Sequence, residues 1–206
     1  MKQFTTVNGQ FENLTVIERS KFICNIKGVE NEEDAKQFVA SIKKKHSLAT
    51  HNCYCYIADD LGLIQKFSDD GEPQSTAGLP MLDVLKNKKI YKTVAVVTRY
   101  FGGVKLGTGG LVRAYSGAVI ECLNKCDIVT YHKAHFISLS LDYEQYAKFQ
   151  NLTLENTKVI NTEFDQNVNI SLVVKDGFLE QVCAKVKDFY CGRAECVINK
   201  IDYYGF

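Results

Sequence analysis

Between residues 136 and 203, the spacing of apolar residues changes in an order that few folds can accommodate. Alternation of apolar and polar residues is typical of a half-buried strand, whereas three- and four-residue spacing is typical of an amphipathic helix. The six predicted segments are a strand over residues 136–141, a helix over 143–154, strands over 158–164 and 168–174, a helix that Asp176 opens and Gly192 ends, and a strand over 194–203. This β-α-β-β-α-β order predicts a ferredoxin-like domain, a fold that assigns no function by itself.

The chain before residue 130 predicts a separate unit in which helices and strands are mixed. Its predicted elements are an extended stretch over residues 14–26, a helix over 31–45, a strand over 53–57, a short helix over 81–85, a buried strand over 93–98 and a helix over about 111–124. We place the boundary near residues 129–132, which gives domains over residues 1–130 and 131–206. The predicted fold class is therefore α+β with two domains.

Charge is distributed unevenly over a chain whose formal net charge is only +1. Residues 1–130 carry 17 Lys and Arg against 14 Asp and Glu, and residues 131–206 carry 8 against 10. We therefore expect any anion-binding surface in the first domain. No apolar stretch reaches the roughly 18 residues that span a bilayer, and residues 1–5 lack the apolar run of a signal peptide. These observations predict a cytoplasmic location and no membrane partner.

The eight cysteines invite a disulfide or zinc interpretation. No C-x-x-C pair occurs, although zinc sites usually contain such pairs or a Cys/His equivalent. Most of the cysteines lie within apolar patterns, so we favour buried thiols in a reducing compartment. A metal held by Cys126, His132 and His135 is the alternative, but we place His132 in a linker and His135 at the start of a strand. We expect neither a bound metal nor a cofactor.

The segment between the buried strand and the last helix of the first domain is rich in glycine and in positive charge. Five glycines within nine residues allow another backbone or a ligand to approach closely. The amides of a helix N-terminus favour phosphate or carboxylate, and three nearby cations would add to that attraction. The candidate binding residues for an anion, RNA or a partner are Arg99, Tyr100, Phe101, Gly102, Gly103, Lys105, Gly107, Thr108, Gly109, Gly110 and Arg113.

The familiar nucleotide-binding motifs do not fit this segment. Gly102 and Gly107 have the glycine spacing of a P-loop, but Thr108 stands where the P-loop requires lysine. A dinucleotide fingerprint fails as well, because Val112 occupies its third glycine position. Two interpretations remain open: a tight contact between helix and strand that needs small residues, and an anion site.

A polar loop over residues 67–80 contains both prolines of the chain. Asp69, Asp70 and Glu72 carry the oxygen ligands that a hard cation such as magnesium prefers. A simple turn is the alternative, and we favour it for a sequence with Asp-Asp-Gly before Glu-Pro. The hydroxyl groups of this loop have no His or Lys base close in sequence, so nucleophilic catalysis is not expected. The residues assigned to a supporting loop are His51, Asp69, Asp70, Glu72 and Thr76.

Several unusual strings in fixed order resemble the YigZ/IMPACT family, the uncharacterised family UPF0029. The strings are Ser20-Lys21-Phe22, Ala49-Thr50-His51-Asn52-Cys53, Asp69-Asp70-Gly71-Glu72-Pro73, Thr76-Ala77-Gly78-Leu79-Pro80, Arg99-Tyr100-Phe101-Gly102-Gly103-Val104-Lys105-Leu106-Gly107 and Gly109-Gly110-Leu111-Val112-Arg113-Ala114-Tyr115. The resemblance is specific over the first domain. By pattern and position, the second domain resembles the smaller C-terminal domain of that family, DUF1949.

The resemblance implies a left-handed β-α-β fold in the first domain, like that of the second domain of a small-subunit ribosomal protein. Domain IV of elongation factors and the GHMP kinases share that fold, and the second domain would resemble elongation-factor domain V. Eukaryotic members act in translational control by competing for a ribosome-associated activator of a starvation-responsive kinase. Those members carry an additional RWD domain, so the resemblance favours a bacterial-type form here. It supplies no catalytic residues.

Three functions are compatible with these observations. The first, which we favour, is a translation-associated regulatory protein that contacts RNA, the ribosome or a ribosome-associated protein through the glycine-rich basic segment. The second is a protein-interaction role alone. The third is a small-molecule or phosphoryl-transfer enzyme that uses the glycine-rich segment as an anion site, and it lacks a recognisable constellation of metal and base. The sequence does not indicate an oligomeric state.

Overall fold

The computed structural model describes residues 3–206, which form two units with separate hydrophobic cores. The first unit comprises Gln3–Val129 and the second Thr130–Phe206. Each unit combines one antiparallel sheet with helices. The predicted α+β fold class with two domains is confirmed. Over residues 3–206, the structure contains no helix that combines the length and the apolar character needed to cross a membrane.

The first unit is built on a five-stranded antiparallel sheet. Its elements are β1 Gln3–Val7, β2 Gln10–Ile17, β3 Ser20–Gly28, α1 Glu32–Lys45, β4 His51–Ile57, β5 Gln65–Ser68, α2 Gly78–Asn87, β6 Thr93–Tyr100 and α3 Gly107–Leu123. The strands of the sheet are ordered β2-β3-β6-β4-β5. Strand β6 lies at its centre, and seven of its eight residues are buried. Five of the six residues in Thr-Val-Ala-Val-Val-Thr are β-branched, and such a string suits a strand that is covered on both faces.

Helices cover both faces of this sheet. Alternate residues of β6 point to opposite faces, so β6 contributes to the packing on each of them. Val94 and Val96 pack in one cluster with Phe38 and Ile42 of α1. Ala95 and Val97 pack in the other cluster, which contains the buried faces of α2 and α3. The side that bears α2 and α3 also bears the glycine-rich segment.

The second unit has the predicted order of elements. Its elements are β7 Ile128–Leu141, α4 Tyr143–Phe149, β8 Thr157–Phe164, β9 Val168–Lys175, α5 Leu179–Phe189 and β10 Val197–Gly205. The four strands are antiparallel and ordered β10-β7-β9-β8, so the first and third strands of the unit are central. The core packs the inward residues of β7 and β9 against α4 and α5. This is the strand order of the ferredoxin-like arrangement.

Some sequence-based boundaries were wrong. Residues 14–26 belong to two strands, β2 and β3, which a turn at Glu18 and Arg19 joins with positive φ at both residues. Helix α3 begins at Gly107, four residues before the predicted start. Glycine is less favourable than alanine inside a helix by about 1 kcal/mol, so the glycines at 107, 109 and 110 predict that the helix begins after them. Burial of Leu111 and Tyr115 against the sheet outweighs that preference.

The boundary region also differs from the prediction. His132 lies within β7 and is part of a continuous strand, so its assignment to a linker was wrong. Asp176 does not cap α5, whose N-cap is Phe178, and its carboxylate instead lies 3.0 Å from His135 Nε2. Within residues 3–206, no three His, Cys, Asp or Glu side chains converge on a point that could hold a metal ion. Cys126, His132 and His135 are therefore not brought together.

All eight cysteines are free, and four of them, Cys24, Cys53, Cys55 and Cys122, are buried. Burial raises the pKa of Cys53 to about 12 and raises that of Cys55 further. Because the thiolate is the reactive form, burial blocks both access and ionisation at these two positions. Cys191 is exposed.

We expect iodoacetamide at pH 8 to modify Cys191 of the native protein well before Cys53 or Cys55. At that pH, a thiol with a pKa of about 12 is ionised in only roughly one molecule in ten thousand. Peptide mass spectrometry across a time course measures the order of modification. The same reaction in denaturant is the control, since all eight thiols should then react. Modification of Cys53 as fast as Cys191 in the native protein would contradict this burial.

Candidate functional site

The acidic loop between β5 and α2 directs its carboxylates to separate partners. Asp69 accepts hydrogen bonds from the backbone amides of Ser75 at 2.8 Å, Ala77 at 3.0 Å and Gly78 at 2.8 Å. One carboxylate thus closes the loop and satisfies free amides at the start of α2, which is a favourable place for negative charge. Thr76 is buried and donates its hydroxyl to the Pro73 carbonyl. Asp69 therefore has a structural role in this loop.

Asp70 connects the loop to α1 and to β4. Its carboxylate accepts hydrogen bonds from Lys43 Nζ at 2.5 Å and from the Asn52 backbone amide at 2.7 Å. Its backbone carbonyl lies 2.8 Å from His51 Nδ1. Gly71 has a φ of +90°, and a side chain there would contact the His51 ring at 3.4 Å. The turn interpretation of this loop agrees with these contacts.

Glu72 is buried and joins three elements. Its Oε1 accepts hydrogen bonds from Arg99 Nη1 of β6 and from the Tyr115 hydroxyl of α3, both at 2.7 Å. His51 Nε2 of β4 lies 3.9 Å from the other carboxylate oxygen. Burial raises the pKa of the Tyr115 phenol well above its usual range, so this hydroxyl stays protonated and donates a hydrogen bond to Glu72. The acidic loop is thereby fixed onto the sheet and α3.

Arg99 is the partner of Glu72 and does not lie on the surface. Only 6% of its side chain is exposed, and its guanidinium carbon lies 5.4 Å from the ring centroids of both Phe22 and Phe101. The structure therefore contradicts the expectation that Arg99 offers its charge to an anion at the surface. Tyr100 is half-buried, with its hydroxyl 3.0 Å from His46 Nδ1, and Phe101 is 47% exposed.

The glycine-rich segment contains a close backbone contact at Gly102. A Cβ at this position would lie 2.1 Å from the carbonyl carbon of Arg19 and 2.4 Å from the amide nitrogen of Ser20. The Gly102 amide also donates to Ser20 Oγ at 3.1 Å. Gly103 and Gly107 adopt positive φ values of +89° and +69°. Gly102 thus leaves no room for a side chain, but its close contact is with the turn between β2 and β3 and not between a helix and a strand.

An open cleft of about 430 Å³ lies beside this contact, at the start of α3. Its lining residues are Ile17, Glu18, Val104, Lys105, Leu106, Gly110, Arg113 and Ala114. Among residues 3–206, no side chain caps the N-terminus of α3. Lys105, Thr108, Gly109 and Arg113 are exposed, so two cations lie at the surface beside the uncapped start of this helix. We call the cleft with these exposed residues the α3 cleft.

The structure divides the predicted site residues into two groups. Lys105, Gly110 and Arg113 line the α3 cleft, whereas His51, Glu72 and Arg99 form a buried network beneath the segment. Sequence reasoning missed Tyr115, Lys43 and Asn52 as partners of the acidic loop, and Ile17 and Glu18 as lining residues. Asn52 and Tyr115 both lie in strings that resemble the family, and the helix places Tyr115 on its apolar face with Leu111.

Comparison with known proteins agrees with this architecture. The family model of the Impact N-terminal domain matches residues 18–123, and the model of DUF1949, a domain of unknown function, matches residues 139–193. The IMPACT family member YvyE of Bacillus subtilis is 42% identical over 177 residues, which cover 85% of this chain and 82% of YvyE. The chain belongs to the IMPACT family.

Two further comparisons cover most of the chain. The IMPACT family member YigZ of Escherichia coli is 36% identical over 185 residues, covering 87% of this chain and 89% of YigZ. A crystal structure described as that of "an hypothetical protein" is 31% identical, with a TM-score of 0.63, and the match covers 97% of this chain and 98% of that one. The resemblance to the YigZ/IMPACT family is confirmed.

Proposed function

We propose that this IMPACT family member is a translation-associated regulatory protein that contacts RNA, the ribosome or a ribosome-associated protein through the α3 cleft. The observation that carries the proposal is the uncapped start of α3 next to Lys105 and Arg113 in an open cleft. Amides at a helix N-terminus and exposed cations both attract phosphate groups. Phe101 and Val104 add exposed apolar surface close by. The translation-linked role rests on the family resemblance.

The buried network supports binding in a different way. Glu72 and Arg99 neutralise each other, and Asp69 and Asp70 bind backbone amides and Lys43. These residues hold the loop and β6 in place, and Gly102 holds the glycine-rich segment against the β2–β3 turn. The cleft is therefore bounded by fixed elements, which reduces the ordering cost when an anion binds. Glu18 contributes one carboxylate to the lining and should disfavour anions at that end.

Replacing Lys105 and Arg113 together by alanine should strongly weaken association with ribosomes and make it less sensitive to salt. Each phosphate contact that is lost should reduce the slope of log affinity against log salt by roughly 1, so the double variant should lose about 2. Sedimentation of the full chain with purified ribosomes across a salt titration measures both the affinity and its dependence on salt. Arg99 is left unchanged, because its removal would leave Glu72 buried without a charge partner.

The matched control removes two lysines from α1, on the opposite side of the sheet. Lys36→Ala with Lys44→Ala makes the same change in net charge, and both side chains are exposed. This control should sediment like the unaltered protein. Equal losses in the two variants, or no sedimentation of the unaltered protein at low salt, would contradict the proposal. In the second case, stabilisation by a magnesium nucleotide would support the small-molecule alternative, which the cleft volume of about 430 Å³ accommodates.

A further inference from the structure

The second unit presents an aromatic surface on the side of its sheet that faces away from α4 and α5. Ile137, Leu139 and Leu141 of β7 point into the core between sheet and helices. Because side chains alternate along a strand, His132, Phe136 and the residues that share their register lie on the opposite side. In β10, Tyr204 pairs with His132 and Lys200 pairs with Phe136, so these residues share that outer side.

Three aromatic rings on this outer side contact one another in a row. The ring centroids of Phe136 and Tyr204 are 6.1 Å apart, and those of Tyr204 and Phe206 are 5.4 Å apart. The His132 ring lies 6.1 Å from that of Phe206. All four side chains are only half-buried, although large apolar rings usually find cover in a core. We call Phe136, Tyr204, Phe206 and His132 the aromatic row.

Lysines flank the aromatic row on several strands. Lys200 Nζ lies 4.6 Å from the Phe136 ring centroid, and Lys158 Nζ of β8 lies 5.8 Å from that of Tyr204 and 5.9 Å from that of Phe206. Lys175 of β9 pairs with Ala134, which lies between His132 and Phe136 on the outer side of β7, so it adds a third positive charge there. The second unit has more acids than bases, yet three of its eight Lys and Arg surround this row.

The acidic residues on the same side already have partners. Asp202 forms an ion pair with Lys200 at 3.1 Å, and Glu163 accepts a hydrogen bond from Asn161 at 2.9 Å. Three lysines against two carboxylates leave this side with a net positive charge around half-buried rings. Rings that stack on bases and lysines that bind phosphates are the two elements of sequence-tolerant binding to single strands. A purely apolar protein partner would not need the lysines.

We propose that the aromatic row binds single-stranded RNA, with unpaired bases stacked on Phe136, Tyr204 and Phe206 and phosphates held by Lys158, Lys175 and Lys200. The centroids of neighbouring rings are 5.4 and 6.1 Å apart, farther than the rise of about 3.4 Å per nucleotide in a stacked strand, and their planes are inclined by 74° and 78°. Bases on neighbouring rings would therefore be unstacked from one another, as in an extended single strand and not in a duplex. Exposed aromatic residues on a four-stranded β-α-β-β-α-β sheet are a known way to bind two or three bases. This surface shares no residue with the α3 cleft, and the proposal does not depend on that cleft.

Fluorescence anisotropy of the full chain with a labelled eight-nucleotide oligouridine tests this proposal. Tyr204 contacts both other aromatic rings, so Tyr204→Ala should weaken binding about tenfold or more, whereas Tyr204→Phe should retain it because stacking needs only the ring. Lys158→Ala with Lys200→Ala should reduce the salt slope by about 1.4. Lys185→Ala with Lys187→Ala removes two exposed lysines from α5 and should leave binding unchanged. Circular dichroism and thermal melting establish that each variant is folded.

The outcomes separate this surface from the α3 cleft. Retained oligouridine binding in the Lys105→Ala, Arg113→Ala variant, together with its loss in Tyr204→Ala, would support the aromatic row even if ribosome association fails. Loss of binding only in the Lys105→Ala, Arg113→Ala variant would overturn the proposal and place the RNA in the α3 cleft. Equal competition by duplex RNA would overturn it as well. No binding of the oligouridine at low salt would also overturn it.

Discussion

Replacing Glu72 with alanine should lower the free energy of unfolding by about 3–5 kcal/mol. Only 4% of the Glu72 side chain and 6% of that of Arg99 are exposed, so the variant leaves a guanidinium charge buried without its carboxylate. The Tyr115 hydroxyl loses its acceptor at the same time. Removing one partner of a buried pair is costly because neither water nor another charge replaces it.

Urea unfolding followed by circular dichroism measures this loss, and hydrogen exchange of the β6 amides reports the first unit separately. Glu12→Ala is the control, since Glu12 forms an exposed ion pair with Lys45 and its loss should cost less than about 1 kcal/mol. Glu72→Gln with Arg99→Met removes both charges and keeps an acceptor for Tyr115. We expect this double variant to be more stable than Glu72→Ala. A Glu72→Ala protein as stable as the Glu12→Ala control would contradict the buried pair.

Gly102→Ala should destabilise the first unit by about 2–4 kcal/mol. The new Cβ would lie 2.1 to 2.4 Å from backbone atoms of Arg19 and Ser20, and backbone cannot move aside as a flexible side chain can. The shift that relieves this overlap would also strain the hydrogen bond from the Gly102 amide to Ser20 Oγ. Because Ile17 and Glu18 line the α3 cleft, the same shift should weaken ribosome association.

Gly117→Ala provides a matched control for that substitution. Gly117 lies within α3, and a Cβ there meets no atom within 4 Å. Alanine is favoured over glycine inside a helix, so this variant should gain about 0.5–1 kcal/mol. Replacing glycine with alanine should therefore lower the stability at residue 102 and raise it at residue 117. Thermal melting and urea titration measure both, and equal stabilities of the two variants would contradict the close contact at Gly102.

The elements of the fold could be predicted because each has its own local pattern. Helix α1 begins after Asn31 as expected, because an Asn side chain accepts a hydrogen bond from the amide of Asp34. The six elements of the second unit follow from periods of two and of three to four residues. The boundaries were harder to predict where glycines begin a helix, as at Gly107, since local preference and burial oppose each other there.

The candidate site was less predictable because its contacts join distant residues. The sequence predicts that the buried strand ends at residue 98, but β6 continues to Tyr100. Arg99 is therefore part of the sheet, and its side chain is buried. Its partner Glu72 lies 27 residues earlier in a loop, and Tyr115 lies 43 residues after Glu72. Neither separation leaves a periodic signal. The positive charge of the segment was visible in the sequence, but the pairing that withdraws Arg99 from the surface was not.

The central position of β6 has a consequence for the order in which the first unit folds during synthesis. Strands β2 and β3 form one hairpin and β4 and β5 another, and both β3 and β4 pair with β6. Isolated two-stranded hairpins are marginally stable in water. Until Tyr100 has left the ribosome, the two hairpins have no strand to join them, and their inner edges stay open to pairing with other chains. A nascent chain halted before β6 should therefore depend on chaperones far more than one halted after α3.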